Sequence, residues 1–410
     1  MDERRYTGLD ALRGFMMMLG IVLHGALLYL ASPPPAMPVP TDRNNAFVFD
    51  IVFDFIHSFR MPTFFVLAGF FTALLVAKRG ISGTFKNRAS RILLPFLAAL
   101  VLILPVTGLL MFDFMLSVRF GTHDLIPNID NLKTLGQEIA LKSGIPAKRP
   151  MIGHLWFLYY LCLFYLLMPA LCWVSARSRR FDAGIQRGLD SALAPLLFSL
   201  WTAVTLWPFR GGQVHEGFVY FMPHPPSLLY YGSFFVLGFL FHSHRTFLHA
   251  TVRLLPASAL LAACLFPLSM IASALDNSVR GGSAELHVYA VLANALCTWA
   301  LIYCFIGAAM RFFDRASPWI DYTAQSSYWV FLVHMPLVAL AGWWLVQFDL
   351  PAIVKFLLVC SFTAVMAFLT FHYWVQHTWI SSFLHGRRFT LPWPWQNNPG
   401  TESRPQRPAT

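Results

Sequence analysis

Arg13 and His24 stand eleven residues apart in the apolar run LDALRGFMMMLGIVLHGALLYL. On a helix of 3.6 residues per turn this is about three turns, so both side chains leave from one face, roughly 16 Å apart along the axis. Asp10, three residues before Arg13, can pair with it. A polar stripe thus climbs from an ion pair at one end of the helix to an imidazole well inside it. Ionisable groups at that depth are costly in a bilayer and mark functional positions. An imidazole so placed suits general acid–base or nucleophilic catalysis. The plainer roles are an interface anchor for Asp10 and Arg13 and a helix–helix hydrogen bond for His24.

A second cluster lies in DFIHSFRMPTFFVLAGFF, where His57 and Arg60 are three apart at the outer end of an apolar run. Arg60 needs an anionic partner there, either Asp54 or a substrate anion, unless it reaches to lipid headgroups. The preceding Asp50 and Asp54, four apart, share a face of an amphipathic segment. Arg88 and Arg91, with Lys86, precede the run RILLPF and fit either membrane orientation or phosphate binding. His154 and Trp156 open the run GHLWFLYYL, and SYWVFLVHMPL places His334 near mid-membrane with Tyr328 nearer the cytoplasm. His372, His377 and His385 read as interfacial, and Glu216 beside His215 is a possible acceptor-site acid. The histidines show no HExxH and no paired His/Cys set, and the six cysteines no CxxC, so no metal site is expected.

These residues are carried by a chain that is 57% hydrophobic and 12% charged, against about 25% charged in soluble proteins. Runs of about 20 apolar residues recur along it, each able to cross a bilayer. The fold expected is all-α, a polytopic integral membrane protein of about ten transmembrane helices. The spans are drawn at 11–31, 57–77, 92–112, 154–174, 190–207, 227–242, 254–275, 287–310, 325–347 and 352–374. Twenty Lys and Arg fall on one side of this arrangement and eight on the other, which puts both termini in the cytoplasm. The basic excess is therefore topology and not a nucleic-acid footprint. A membrane domain over 1–386 and a disordered, Pro-rich cytoplasmic tail over 387–410 are expected, with a long polar loop at 113–153.

Five stretches together resemble the membrane acyltransferase-3 family: LDALRG with its Arg and later His, FFVLAGFF, RILLPF after basic residues, HLWFL, and YWVFLVHMPL. They occur in order between residues 9 and 338, and DFIHSFRMPTFFVLAGFF is especially similar to the glucan biosynthesis protein C branch. The resemblance implies a bacterial inner-membrane enzyme that moves an acyl group, succinyl favoured, from cytoplasmic acyl-CoA to a hydroxyl of a periplasmic glucan. No permanently bound cofactor is implied; acyl-CoA is the donor substrate. On this reading Arg13, beside Asp10 and helped by Arg88 and Arg91, holds the donor phosphates. His24 acts as general base or carries the acyl group, and the two routes stay open. His57 and Arg60 stabilise the oxyanion or pair with a succinyl carboxylate. His154, Trp156, Tyr328 and His334 serve the substrates, Trp156 by stacking on sugar from outside.

Two rivals remain. One is an acetyltransferase for another surface glycan or a small molecule. The other is a transporter or permease without covalent chemistry, which accounts for intramembrane His and Arg but not for a basic cluster and a deeper His on one helix face.

Overall fold

The computed structural model describes residues 6–34, 41–123, 129–143, 151–178, 188, 189, 191, 193–215, 221–244, 246–279, 282–388 and 391–395. Glu216, most of the tail and several arginines of the charge count lie outside them. The described residues form helices and connecting turns, with no strand. In order they are α1 (Thr7–Leu27), α2 (Phe47–Arg88), α3 (Leu94–Leu102), α4 (Leu104–Phe120), α5 (Ile129–Ser143), α6 (Trp156–Tyr165) and α7 (Met168–Ser178). Then follow α8 (Ala194–Leu206), α9 (Pro225–Ser243), α10 (Thr246–Arg253), α11 (Leu255–Ser278), α12 (Ala284–Phe312), α13 (Pro318–Leu345), α14 (Ala352–Thr370) and α15 (Trp379–His385).

Among the described residues six helical stretches are long and apolar enough to cross a membrane: Thr7–Leu27, Phe47–Leu102, Leu255–Ser278, Ala284–Phe312, Pro318–Leu345 and Ala352–Val375. A seventh arises if Gly153–Tyr165 and Met168–Arg177, bent by 56°, make one broken span. The chain is thus a multi-pass membrane protein. Phe47–Leu102 is interrupted at Gly80, whose φ of 68° and ψ of 176° leave the helical region. The expected spans 57–77 and 92–112 lie on either side of that break. α8 has only 13 residues, and α9 carries prolines, tyrosines and histidine that dilute its apolar character. The expected loop at 113–153 is corrected: α4 runs on to Phe120, and α5 follows.

Leu97, Val101, Leu109, Leu261, Leu268 and Leu357 stand exposed on α3, α4, α11 and α14, as lipid-facing side chains must. Inside, α1 is enclosed by α2, α12, α13 and α14. α2 crosses α9 so closely that a Cβ on Gly69 would strike Phe235 O, and one on Gly238 would strike Val66 O. Small residues let backbones meet where lipid gives no hydrophobic drive for helices to associate. Around this crossing Phe65, Trp156, Tyr160, Tyr231 and Phe235 fill the core.

The C-terminal end of α1 is locked by charge. Lys355 Nζ of α14 lies 2.8 and 3.0 Å from the two Asp42 carboxylate oxygens, with both side chains fully buried. Asp42 N donates to Leu28 O, and Asp50 accepts from Ala31 N and Ser32 N. Asp50, on the first turn of α2, thus ties down the chain that leaves α1. Removing one partner of a buried pair strands the other charge, at a cost of about 3–5 kcal/mol. Asp42→Ala is therefore expected to lower the detergent-solubilised melting temperature sharply, and Lys355→Met in the same chain to restore most of it; an unchanged melt for Asp42→Ala would show that the pair does not anchor α1.

Candidate active site

Each polar residue of α1 occupies a different depth. At the N-terminal end Arg13 Nη2 lies 3.2 Å from Asp10 Oδ1 and donates at 3.5 Å to Ala324 O of α13. Its guanidinium also sits 5.6 Å from the Phe71 ring. The expected Asp10–Arg13 pair is therefore formed. Three turns along the same helix, the His24 ring meets His334 of α13 with centroids 5.1 Å apart. His334 in turn meets His154 at 5.5 Å. Residues far apart in the chain, on α1, α13 and the turn before α6, thus bring three imidazoles together.

Hydrogen bonding orients two of the three rings. His334 Nδ1 lies 2.7 Å from Phe331 O and 3.2 Å from Val330 O, so it is the protonated nitrogen, and Nε2 carries the lone pair. His154 Nε2 donates to Leu332 O at 3.2 Å, leaving Nδ1 with the lone pair. Neither of these lone pairs, nor His24 Nδ1, has a hydrogen-bond partner among the described residues, although all are buried. Buried polar atoms left in this state point to a ligand or a reacting group. No set of His, Cys, Asp and Glu among the described residues has the arrangement to hold a metal ion.

Arg60 enters between the two ends of the stripe. It is buried, its Nε donates to Met16 O at 2.8 Å, and Nη1 lies 3.8 Å from Met61 Sδ. Among the described residues no carboxylate pairs with it, Asp54 included. Its third nitrogen, Nη2, fits against Gly20, where any Cβ would collide with it; the same Cβ would lie 3.6 Å from His334 Nε2. A charged donor thus lies beside the histidines, held from behind by a main-chain carbonyl.

The other expected site residues separate into three groups. His57 looks outward from α2: Nε2 donates to Val214 O at 3.1 Å and its ring stacks on His215 at 4.7 Å. It does not join Arg60 against α1, because three residues of helix turn it toward the 209–215 segment. A cavity of about 20 Å³, the room of one water, lies there among His57, Ser58, Gln213, Tyr230, Tyr231 and Thr298. Trp156 is corrected from a surface stacking residue to a core one: it is buried against Phe65, Tyr160 and Tyr231.

Tyr328, Arg88 and Arg91 belong to the Arg13 end. The Tyr328 ring lies 6.2 Å from His385, and its hydroxyl is buried. Arg88 covers the Tyr165 ring at 5.3 Å and donates to Thr72 Oγ1 at 3.4 Å. Arg91 donates to Phe383 O at 3.0 Å and also to Ser382 O. Sequence reading missed His215, His385 and Arg387 as neighbours of these groups. For His385 the local signal was a histidine close to a basic residue, which is common at membrane surfaces.

The arrangement is one line of chemistry: cations at one mouth, a buried guanidinium, then imidazoles with available lone pairs. Residues 6–379 match the family model described as an acyltransferase domain. The chain belongs to this acyltransferase family. Its relatives include proteins named glucans biosynthesis protein C from Escherichia coli. The one from strain E24377A is 27% identical over 362 residues, and the one from strain K12 is 26% identical over 362; each alignment covers 83% of both chains. No solved structure matches the chain.

Gly20 supplies a test of the Arg60 placement. The group a Cβ would strike is the end of a flexible side chain, so Gly20→Ala should fold while displacing the guanidinium. Acyl transfer by Gly20→Ala is expected to fall about tenfold or more with little change in melting temperature, since small misplacements of a positioned group are costly. Unaltered turnover in this variant would show that Arg60 need not sit where it does.

Proposed function

We propose that the chain is a bacterial inner-membrane O-acyltransferase, with about ten spans and both termini in the cytoplasm. It moves an acyl group, succinyl favoured, from acyl-CoA to a hydroxyl of a periplasmic glucan. The observation that carries this reading is the line from Arg13 through Arg60 to the cluster of His24, His334 and His154. Acyl-CoA has the matching shape: a polyanionic nucleotide that stays at an aqueous surface, and a long thin arm able to enter a helical bundle. The names of the E. coli relatives favour a glucan acceptor.

In the reaction a sugar hydroxyl oxygen attacks the thioester carbonyl carbon while His24 removes the hydroxyl proton. Negative charge grows on the carbonyl oxygen, and Arg60 Nη2 is the nearby donor able to stabilise it. Collapse of the tetrahedral intermediate breaks the C–S bond. The proton held on the imidazole passes to the departing thiolate, giving the sugar ester and CoA. His334 and His154 border His24 and offer further lone pairs for proton handling. Arg60 also has the charge to bind the free carboxylate of a succinyl group.

His24→Ala is expected to give a folded protein with no acyl transfer. Arg13→Ala should mainly raise the KM for acyl-CoA, by about 10- to 100-fold for the loss of one charge-assisted contact. Both are read by CoA release on adding glucan to purified protein. Normal glucan acylation by a well-expressed His24→Ala variant would overturn the mechanism.

A further inference from the structure

The segment after α14 returns across the mouth where Arg13 lies. A π turn at Phe371–Val375 leads to α15, which is followed by Gly386, Arg387 and Arg388. Arg91 holds this segment through the Ser382 and Phe383 carbonyls, and Gly386 packs so tightly on Arg91 that a Cβ would lie 2.6 Å from Nη2. Ser381 Oγ donates to Arg387 O at 2.9 Å, fixing the turn that carries Arg387. Further on, the Trp393 ring stacks on His372 with centroids 3.9 Å apart and lies 5.7 Å from Tyr322.

His385 ends α15 amid charges brought by three separate elements. Its partly buried ring is pushed down to about 4 by burial and then by the positive charges of Arg13, Arg387 and Arg91. Tyr328 of α13 closes the opposite side. His372, on the adjoining π turn, faces Tyr322 and Trp393 instead. Asp10 offsets Arg13, but Arg91 spends its donors on main-chain carbonyls, which leave its charge uncancelled. Convergent guanidiniums around one half-buried imidazole repel each other and favour an anion with several acceptor oxygens.

We propose that Trp379–Arg387 is a strap closing the donor mouth, and that His385 and Arg387 join Arg13 and Arg91 in a site for the phosphate groups of the donor. The proposal rests on the acyl-CoA reading and extends it to a segment outside the stripe on α1. Arrival of a polyanion also changes the balance at His385. A ring uncharged at pH 7 takes up a proton once negative charge neutralises its cationic surroundings, so donor binding draws a proton from the buffer.

The test is calorimetric titration of coenzyme A into the purified full-length protein at pH 7, in two buffers of different ionisation enthalpy. Arg387→Glu is expected to weaken binding about tenfold or more and Arg387→Lys less. His385→Asn should abolish the buffer-dependent proton uptake. Arg388→Glu, the same charge change one residue on, is the control and is expected to bind nearly as wild type. Equal losses from Arg387→Glu and Arg388→Glu would mean general attraction and overturn the strap. Unchanged affinity in Arg387→Glu would overturn it too. Absence of coenzyme A binding by the wild type would instead defeat the acyl-CoA reading itself.

Discussion

Arg60 donates from Nε to Met16 O across the contact between α1 and α2, and the rest of the site is arranged around that bond. A guanidinium is expensive to keep among helices away from water unless its charge is put to use. Here no carboxylate among the described residues neutralises it. Gly20 leaves room for the outer half of the fork, which points toward His334. The bundle therefore maintains a positive charge beside three imidazoles, which is the setting a developing oxyanion requires. Locks at both ends of α1 keep the register: Lys355 with Asp42 at one, and Arg13 with Asp10 and Ala324 O at the other.

Function follows from the separation of charges along this axis. A cationic end, a cation midway and a histidine cluster beyond match, on the proposed reading, a donor that is anionic at one end and reactive at the other. Orientation of His334 and His154 by main-chain carbonyls fixes which nitrogen carries the lone pair, the role a buried carboxylate often plays for catalytic histidines. His24 has no such bond at Nδ1 among the described residues, which leaves that nitrogen available to a substrate.

Much of α1 was legible beforehand because helix periodicity is local: spacing alone placed Asp10 by Arg13 and His24 on the same face. The helical, membrane-spanning character was equally legible from apolar run lengths. What spacing cannot show is which distant helices meet. His334 and His154 were recognised singly, but their convergence on His24 depends on how α13 and the turn before α6 pack. Trp156 was expected to stack on sugar from outside because position in a span says little about which way a ring faces. His57 and Arg60 look alike in sequence, yet one turns to Val214 and the other to Met16. Gly80 marks the break between the spans expected at 57–77 and 92–112.

The central claim is that the acyl arm of the donor threads from the Arg13 mouth to the histidine cluster. A photo-crosslinking acyl-CoA with a diazirine in the acyl group would test this directly, with the labelled peptides identified by mass spectrometry. The account predicts CoA-competable labelling on α1 and α13, around Gly20–His24 and Phe331–His334. Labelling confined to the lipid-facing surfaces of α3, α11 and α14, and indifferent to competing CoA, would contradict it.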